Sequence, residues 1–145
     1  MVSQKKNLGI VGLGFVGSAI YEGLKNCHHI FTFDIEKDSN CQSLDELVNN
    51  ADYIFICLPT PMKEQGECDL TIIEGVITDI AEIASKFDSK KIVIIKSTVP
   101  VGFTEQNNKK YNNLDFIFNP EFLTEANYIQ DFKNQEFIIL AGEKE

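Results

Sequence analysis

The stretch NLGIVGLGFVG, residues 7–17, decides the fold of this chain. It is an apolar run followed by Gly12, Gly14 and Gly17 at the spacing G-x-G-x-x-G. Glycines gather at many turns, so the spacing alone is weak evidence for a nucleotide-binding loop. The context strengthens it, because an apolar strand precedes the loop, a helical pattern follows it, and a second apolar strand ends in Asp34, 22 residues beyond Gly12.

Each glycine of the loop has a physical role if the loop binds a dinucleotide. Gly12 allows the tight turn, Gly14 lets the backbone approach a pyrophosphate, and Gly17 lets the following helix pack closely on the strand. The pyrophosphate would lie at the helix N-terminus, where unpaired N–H groups and the helix dipole favour an anion. Asp34 is expected to accept hydrogen bonds from the adenosine ribose and to repel a 2′-phosphate. The pattern therefore favours NAD over NADP, and Lys37 is near enough to weaken that preference slightly.

The composition is typical of one globular domain. The chain has 145 residues, 43% of them hydrophobic and 24% charged, and this length allows one core rather than two. We therefore expect a single domain over residues 1–145. The formal net charge of −9 argues against nucleic acid or an anionic membrane as a partner. The sequence shows no apolar run of membrane-spanning length and no signal-peptide pattern, so we expect a cytoplasmic location.

The basic residues and the cysteines narrow the chemistry further. All 13 basic residues are lysine, which leaves anion binding to backbone N–H groups, helix ends and lysine side chains. Adjacent His28 and His29 would point to opposite faces of an extended segment, so no metal site is predicted. The cysteines show no CxxC spacing, and reduced thiols are expected. They are Cys27, Cys41, Cys57 and Cys68.

Six apolar segments alternate with helical patterns along the chain. They are continuous runs, as expected of parallel strands that are covered on both faces. The segments are residues 8–11, 29–33, 53–57, 92–95, 114–118 and 137–140. The alternation predicts a doubly wound α/β domain of the Rossmann type, with about six mainly parallel strands in the order 3-2-1-4-5-6. A ligand crevice is then expected at the carboxyl ends of the strands, near the first and the fourth.

Apolar spacing and capping patterns also predict helix positions. An amphipathic stripe over residues 73–87 predicts a long helix after the third strand. Two capping boxes predict where helices begin: Ser43 with Glu46, and Thr71 with Glu74.

Three further segments follow the third, fourth and fifth strands, at the edge where a ligand is expected. They read CLPTPMKEQGECDL (57–70), KSTVPVGFT (96–104) and NPEFLTEANYIQDF (119–132). Together with GLGFVG they make the chain similar to the N-terminal domain of the UDP-glucose/GDP-mannose 6-dehydrogenase family. That family carries GLGYVG, CVPTP, STVPVG and NPEFL-x-E in this order, and the match spans nearly all of the chain.

The resemblance implies a chemistry in which the C6 alcohol of a nucleotide sugar is oxidised twice, to the acid, with NAD as the cofactor. It implies an NAD site formed by Gly12, Gly14, Phe15, Val16, Gly17, Asp34, Thr60, Thr98 and Glu125. It also implies catalytic roles for Thr98, Glu121 and Glu125. Threonine hydroxyls at strand ends can hold the nicotinamide side of the cofactor or a water; the alternative for Thr98 is a simple strand exit. On a helical turn the two glutamates would share a face suited to proton transfer, or would only favour the helix dipole.

The chain departs from the family pattern at several positions. Only 22 residues separate Asp34 from Cys57, fewer than is usual, which shortens the adenosine side of the site. Phe137 and Thr124 stand where arginine is usual. The family's central helix and C-terminal nucleotide-sugar domain, with the nucleophilic cysteine and its lysine neighbour, lie outside residues 1–145. None of the four cysteines here has a base beside it that would make it a replacement.

Three hypotheses remain open at this point. In the first, the chain is the family's cofactor domain, which binds NAD and meets a nucleotide sugar only if the missing domain is supplied. In the second, it is a non-catalytic NAD(H)-binding or dimerisation module, for which an exposed apolar patch would be evidence, so a homo-oligomer is possible. In the third, it is a compact reductase of a small hydroxy acid, with Lys96 as the candidate catalytic residue.

Overall fold

The computed structural model describes residues 4–142 of the chain. Within this range five strands and five helices alternate. The strands are β1 (Asn7–Val11), β2 (His29–Phe33), β3 (Tyr53–Ile56), β4 (Lys91–Ile95) and β5 (Leu114–Phe118). The helices are α1 (Phe15–Leu24), α2 (Leu44–Asn50), α3 (Thr71–Ala84), α4 (Phe103–Lys110) and α5 (Tyr128–Lys133).

The five strands form one parallel sheet in the order β2-β1-β3-β4-β5. This confirms the predicted α/β class with a Rossmann-type sheet. The predicted order 3-2-1-4-5-6 is wrong, because β3 pairs directly with β1 on the side away from β2. The physical reason is the short connection after β2: its one helix, α2, contacts both β2 and β1 and leads the chain to the other side of β1. The change of direction in the strand order therefore falls between β1 and β3.

The predicted sixth strand, residues 137–140, is also wrong. The side chains from Phe137 to Leu140 are all exposed, whereas a strand inside a parallel sheet is covered on both faces. Among the described residues after α5, only Ala141 pairs with the sheet, in an antiparallel bridge to Phe118 with N–H···O distances of 2.7 and 2.9 Å. The apolar run at residues 137–140 therefore forms an exposed segment rather than a buried strand.

Of the two predicted capping boxes, one is confirmed and one is wrong. The Ser43 hydroxyl accepts a hydrogen bond from the Glu46 N–H at 3.1 Å, and α2 begins there. At α3 the Thr71 side chain does not cap the helix, because the Glu74 N–H that it would accept donates to the Leu70 carbonyl at 2.9 Å. The Thr71 hydroxyl donates instead to the Asp69 carboxylate at 2.6 Å. The same carboxylate accepts the Thr71 N–H at 3.0 Å, so an aspartate two residues upstream replaces the expected cap.

The core is aliphatic and lies against the central strands. The fully buried large side chains include Ile10, Ile20, Leu47, Ile54, Ile56, Ile73, Ile77, Ile80, Ile95, Leu114 and Phe116. Most come from β1, β3, β4 and α3, so the central strands are held rigidly and their carboxyl ends meet at one edge. No helix among residues 4–142 has the length and hydropathy needed to cross a membrane.

Candidate cofactor site

The glycine loop joins β1 to α1 in a tight turn, in which side chains at Gly12 and Gly17 would clash with the backbone. Gly12 has φ = +91°, and an added Cβ would lie 2.4 Å from the Cys57 carbonyl oxygen. A Cβ on Gly17 would lie 1.9 Å from the Gly12 carbonyl oxygen. Gly14 differs, because an added Cβ there meets nothing within 4 Å. Gly12 and Gly17 thus let the loop close on itself, and Gly14 leaves open space above the N-terminus of α1.

That open space belongs to a cavity of about 780 Å³ at the carboxyl edge of the sheet, a volume in the range of small-molecule sites. Residues that follow each of the five strands line it. Among the residues selected from the sequence, those lining the cavity are Gly12, Gly14, Phe15, Val16, Asp34, Thr60, Thr98, Glu121 and Glu125. Gly17 does not line it, since Gly17 is buried in the contact between α1 and the loop.

At one end of the cavity, the Asp34 carboxylate accepts three backbone hydrogen bonds. Its Oδ2 accepts the Leu13 N–H at 2.6 Å, and its Oδ1 accepts the N–H groups of Glu36 at 2.8 Å and Lys37 at 3.0 Å. Partial burial acts to raise the pKa of Asp34, but these three donors and the Lys37 charge outweigh it and lower the pKa. The Lys37 ammonium donates to the Leu13 carbonyl at 2.6 Å, so this end is anionic with a cation beside it.

Hydroxyl groups connect the loops after β3 and β4. Thr60 donates from Oγ1 to the Thr98 carbonyl at 2.7 Å. The Ser97 hydroxyl accepts the Leu58 N–H at 2.9 Å and donates to the Leu58 carbonyl at 2.7 Å. The Thr60 hydroxyl proton is therefore already engaged, and its oxygen remains able to accept a hydrogen bond from a ligand.

Behind these loops lies a buried ion pair between Lys96 and Glu121. The Lys96 side chain is 2% exposed and that of Glu121 is 12% exposed, and Nζ lies 2.9 Å from Oε2. The ammonium also donates to Asn119 Oδ1 at 2.9 Å, and Glu121 Oε1 accepts the Phe122 N–H at 2.8 Å. Among the described residues Oε2 receives no aligned hydrogen bond, so its contact with Lys96 is mainly electrostatic.

The expected shared helical turn of Glu121 and Glu125 is wrong. Residues 121–124 are not helical, and the first helix after them, α5, begins at Tyr128. The ion pair with Lys96 draws Glu121 inward, while Glu125 stays exposed at the rim of the cavity. The two carboxylates therefore have different environments, one paired and one in solvent.

Comparison with known proteins decides which family this site belongs to. Residues 36–145 match the UDP-glucose/GDP-mannose dehydrogenase family, NAD binding domain. This chain belongs to that family. The match covers three of the four sequence motifs, those within residues 57–70, 96–104 and 119–132, and it confirms the resemblance and NAD as the cofactor of the domain.

Relatives and a solved structure agree with the assignment. The UDP-glucose 6-dehydrogenase of Campylobacter jejuni is 38% identical over 115 residues, which are 79% of this chain and 28% of that protein. The UDP-glucose 6-dehydrogenase of Drosophila melanogaster is 36% identical over 138 residues, 85% of this chain and 26% of that protein. A UDP-glucose dehydrogenase from Pyrobaculum islandicum has the same fold, with a TM-score of 0.86 at 22% identity over 98% of this chain and 42% of that one. The chain thus spans about a quarter of the length of these two curated relatives.

The residues present in this NAD-binding domain fit the cofactor. The open space at Gly14 has room for a backbone-bound pyrophosphate, and Asp34 lines the same cavity, where its carboxylate would accept a ribose hydroxyl. The chain has no arginine, and the fit does not need one, because the loop and the N-terminus of α1 offer backbone N–H groups.

Two features of the NAD-binding domain are not predicted from the sequence. Lys96 neutralises Glu121, whereas the sequence suggests Lys96 only as the catalytic residue of a reductase. The signal was available, since β4 and β5 are adjacent parallel strands and both residues follow them. Ser97, which joins the β3 and β4 loops, could not be distinguished from its neighbours in KSTVPVG.

Cys57 lies in the cavity wall but is not a reactive thiol. Burial raises its pKa to about 12, against the opposing effect of Lys96. The four cysteines are free thiols. Within residues 4–142 no group of three or more His, Cys, Asp or Glu side chains is placed to hold a metal ion.

Proposed function

We propose that this chain is the cofactor-binding part of a nucleotide-sugar 6-dehydrogenase, which oxidises the C6 alcohol of a UDP-glucose or GDP-mannose type sugar with NAD. One observation carries the proposal. A single cavity brings together the glycine loop, the Asp34 carboxylate, the two threonines and the Glu121 carboxylate. A dinucleotide site alone would not need the Glu121 carboxylate.

In this proposal the cofactor lies along the carboxyl edge of the sheet. Asp34 accepts the ribose hydroxyls of the adenosine half, and the backbone from Gly14 to Val16 receives the pyrophosphate at the N-terminus of α1. Thr60 and Thr98 hold the nicotinamide half at the ends of the central strands. The cofactor, when bound, supplies the hydride acceptor for the sugar carbon.

Thr98, Glu121 and Glu125 carry the proposed catalytic roles of this chain. The Glu121 carboxylate lies in the cavity wall with its charge balanced by Lys96, so it is placed to accept a proton from the sugar hydroxyl or from a water. The Thr98 hydroxyl orients that hydroxyl or water. Glu125, exposed at the rim, contacts the nicotinamide side from solvent.

The covalent step of the second oxidation needs a cysteine that residues 1–145 do not provide. The thiol of Cys57, a partly buried residue with a raised pKa, is a poor nucleophile, and the exposed Cys27 does not line the cavity. We therefore expect the nucleotide sugar to be a substrate only when the family's further domain is supplied. The reductase hypothesis is less well supported, because the Lys96 ammonium is already paired with Glu121.

The proposal extends to location and assembly. We place the chain in the cytoplasm, in the biosynthesis of polysaccharides that use sugar acids. We also propose that the chain forms a homo-oligomer, because exposed apolar surface favours a protein contact. Four large apolar side chains are each more than 60% exposed: Phe122, Phe137, Ile138 and Leu140. Sedimentation velocity tests this part, with a monomer at all concentrations as the contrary result.

The experiment for the proposed function is a turnover assay on the purified chain. The chain is incubated with NAD and UDP-glucose, and NADH is followed by its absorbance. We expect NAD binding without turnover, and we expect turnover to appear when the C-terminal domain of a relative is added. Steady NADH production by the chain alone would contradict the proposal.

A further inference from the structure

We propose that Tyr128, which lies outside the cavity, is a positioning residue for the cofactor. Its ring holds the Phe15 side chain, and with it the first turn of α1, at which the pyrophosphate is placed. Tyr128 is the first residue of α5 and Phe15 is the first residue of α1. The inference rests on the proposed placement of the cofactor, and it goes further by giving α5 a part in cofactor binding.

Phe15 and Tyr128 form an aromatic pair between the two helices. Their ring centroids lie 5.4 Å apart and their planes meet at 61°, an edge-to-face arrangement. Aromatic rings in this geometry attract each other beyond the apolar surface that they bury. Phe15 is 50% exposed, so the contact with one partner ring can decide which rotamer its side chain adopts.

The Phe15 side chain connects this pair to the cofactor site. Phe15 lines the cavity together with Gly14 and Val16, whereas Tyr128 does not line it. The first N–H groups of a helix have no partner within the helix, and in the proposed site those of α1 receive the pyrophosphate. A Phe15 ring that turned into this space would compete with the cofactor. The effect of Tyr128 on cofactor binding should therefore pass through Phe15.

Two other contacts hold α5 in place without the Tyr128 ring. The Asp131 carboxylate accepts the Thr124 N–H at 2.9 Å and the Thr124 hydroxyl at 2.6 Å. The Phe132 ring packs against Gly23 of α1 so closely that an added Cβ on Gly23 would lie 2.3 Å from a ring carbon. Loss of the Tyr128 ring should therefore free its partner on α1 while α5 stays folded.

The test is a double-variant cycle in which NAD is titrated by calorimetry. Besides the wild type, the cycle contains Tyr128→Ala, Phe15→Ala and Tyr128→Ala/Phe15→Ala. Tyr128→Phe is added because it keeps the ring and removes only the hydroxyl group. Tyr21→Ala is the matched control, because it removes a tyrosine of α1 that does not line the cavity.

Tyr128→Ala should weaken NAD binding by about threefold to tenfold, because the cofactor must then immobilise the Phe15 side chain. Tyr128→Phe and Tyr21→Ala should bind NAD as the wild type does. In the Phe15→Ala background, Tyr128→Ala should have no further effect, since the side chain through which it acts is gone.

A second measurement follows the side chain at position 15 directly and needs no cofactor. The chain has no tryptophan, so Phe15→Trp introduces a single indole into the cavity wall. Adding Tyr128→Ala should lower the fluorescence anisotropy of this indole, because the indole loses its partner ring. Adding Tyr128→Phe should leave the anisotropy unchanged.

A folded Tyr128→Ala chain that binds NAD as tightly as the wild type would overturn the inference, as would an equal loss in the Phe15→Ala background. An indole anisotropy that Tyr128→Ala leaves unchanged would also overturn it. If Tyr128→Ala does not fold, Tyr128→Leu removes the ring and keeps apolar volume, and the same cycle applies with an expected loss of about twofold to threefold. A wild-type chain that binds no NAD would instead contradict the proposed function, and the anisotropy comparison would still decide whether Tyr128 holds Phe15.

Discussion

Replacing Gly17 by alanine should separate the folding role of the glycine loop from its binding role. The new Cβ would lie 1.9 Å from the Gly12 carbonyl oxygen, and real Cβ contacts essentially never fall below 3.0 Å. Helix α1 or the turn at Gly12 must therefore move by at least 1.1 Å, the difference between the two values. The backbone fixes the position of the Cβ and contains the carbonyl oxygen, so neither can turn away, and the cost should reach the upper end of overpacking, about 3 kcal/mol.

Alanine gains about 1 kcal/mol over glycine inside a helix, and Gly17 lies inside α1. The expected net loss of stability is therefore about 2 kcal/mol, or about 4–8 °C in Tm for a chain of this size. Urea unfolding followed by circular dichroism measures it. NAD affinity should fall as well, because α1 and the loop shift together.

Gly14→Ala is the matched control. Gly14 has φ = −66° and ψ = −162°, which any residue adopts, and its added Cβ meets nothing within 4 Å. We expect a stability change below about 1 kcal/mol, but NAD affinity at least about tenfold weaker, since the methyl group enters the space needed by the pyrophosphate. The reasoning fails if Gly17→Ala is as stable as the wild type, or if Gly14→Ala binds NAD equally well.

Three further predictions concern charge and reactivity. At about pH 8, alkylation with mass spectrometry should label the exposed Cys27 and leave Cys57 unmodified in the folded chain, because burial raises the pKa of Cys57 to about 12; equal labelling would contradict this. Lys96→Met should lower the free energy of unfolding by about 3 kcal/mol, since it leaves the Glu121 carboxylate buried without its cation. The double variant Lys96→Met/Glu121→Gln should recover part of this loss. An unchanged stability of the single variant, or no recovery in the double variant, would count against the buried pair. Folding lowers the pKa of Asp34, so the ionised carboxylate stabilises the folded chain at pH values above its ordinary pKa of 3.8. The stability advantage of the wild type over Asp34→Asn should therefore shrink as the pH falls below 3.8. An advantage that grows below pH 3.8 would contradict the lowered pKa.

Features that depend on residues close together in the chain could be predicted from the sequence. The turn at Gly12, the close contact at Gly17 and the acid at the end of β2 follow from neighbouring residues, and their spacing predicted the Rossmann-type class. The order of the strands was not predictable in this way, because it depends on how far one short helix, α2, carries the chain. The Rossmann-type class predicted from the motif is confirmed, whereas the strand order inferred from it is wrong.

The remaining wrong predictions concern residues whose structure depends on which other groups they contact. The run FIIL at 137–140 has the same composition whether it is a buried strand or an exposed segment, and only the tertiary structure decides. Thr71 carries a capping pattern, but the Glu74 N–H that its hydroxyl would accept is bonded to the Leu70 carbonyl. The Glu121 environment depends on Lys96, which is 25 residues earlier in the chain and becomes a neighbour only through the pairing of β4 with β5.

The most direct test of the account is a calorimetric titration of the purified chain with NAD, NADP and UDP-glucose in separate experiments, with Gly14→Ala beside the wild type. The account predicts that NAD binds at one site, that NADP binds at least about tenfold more weakly, and that UDP-glucose does not bind to the chain alone. It also predicts that Gly14→Ala loses the NAD signal while staying folded. A folded wild-type chain that binds no NAD would contradict the central claim.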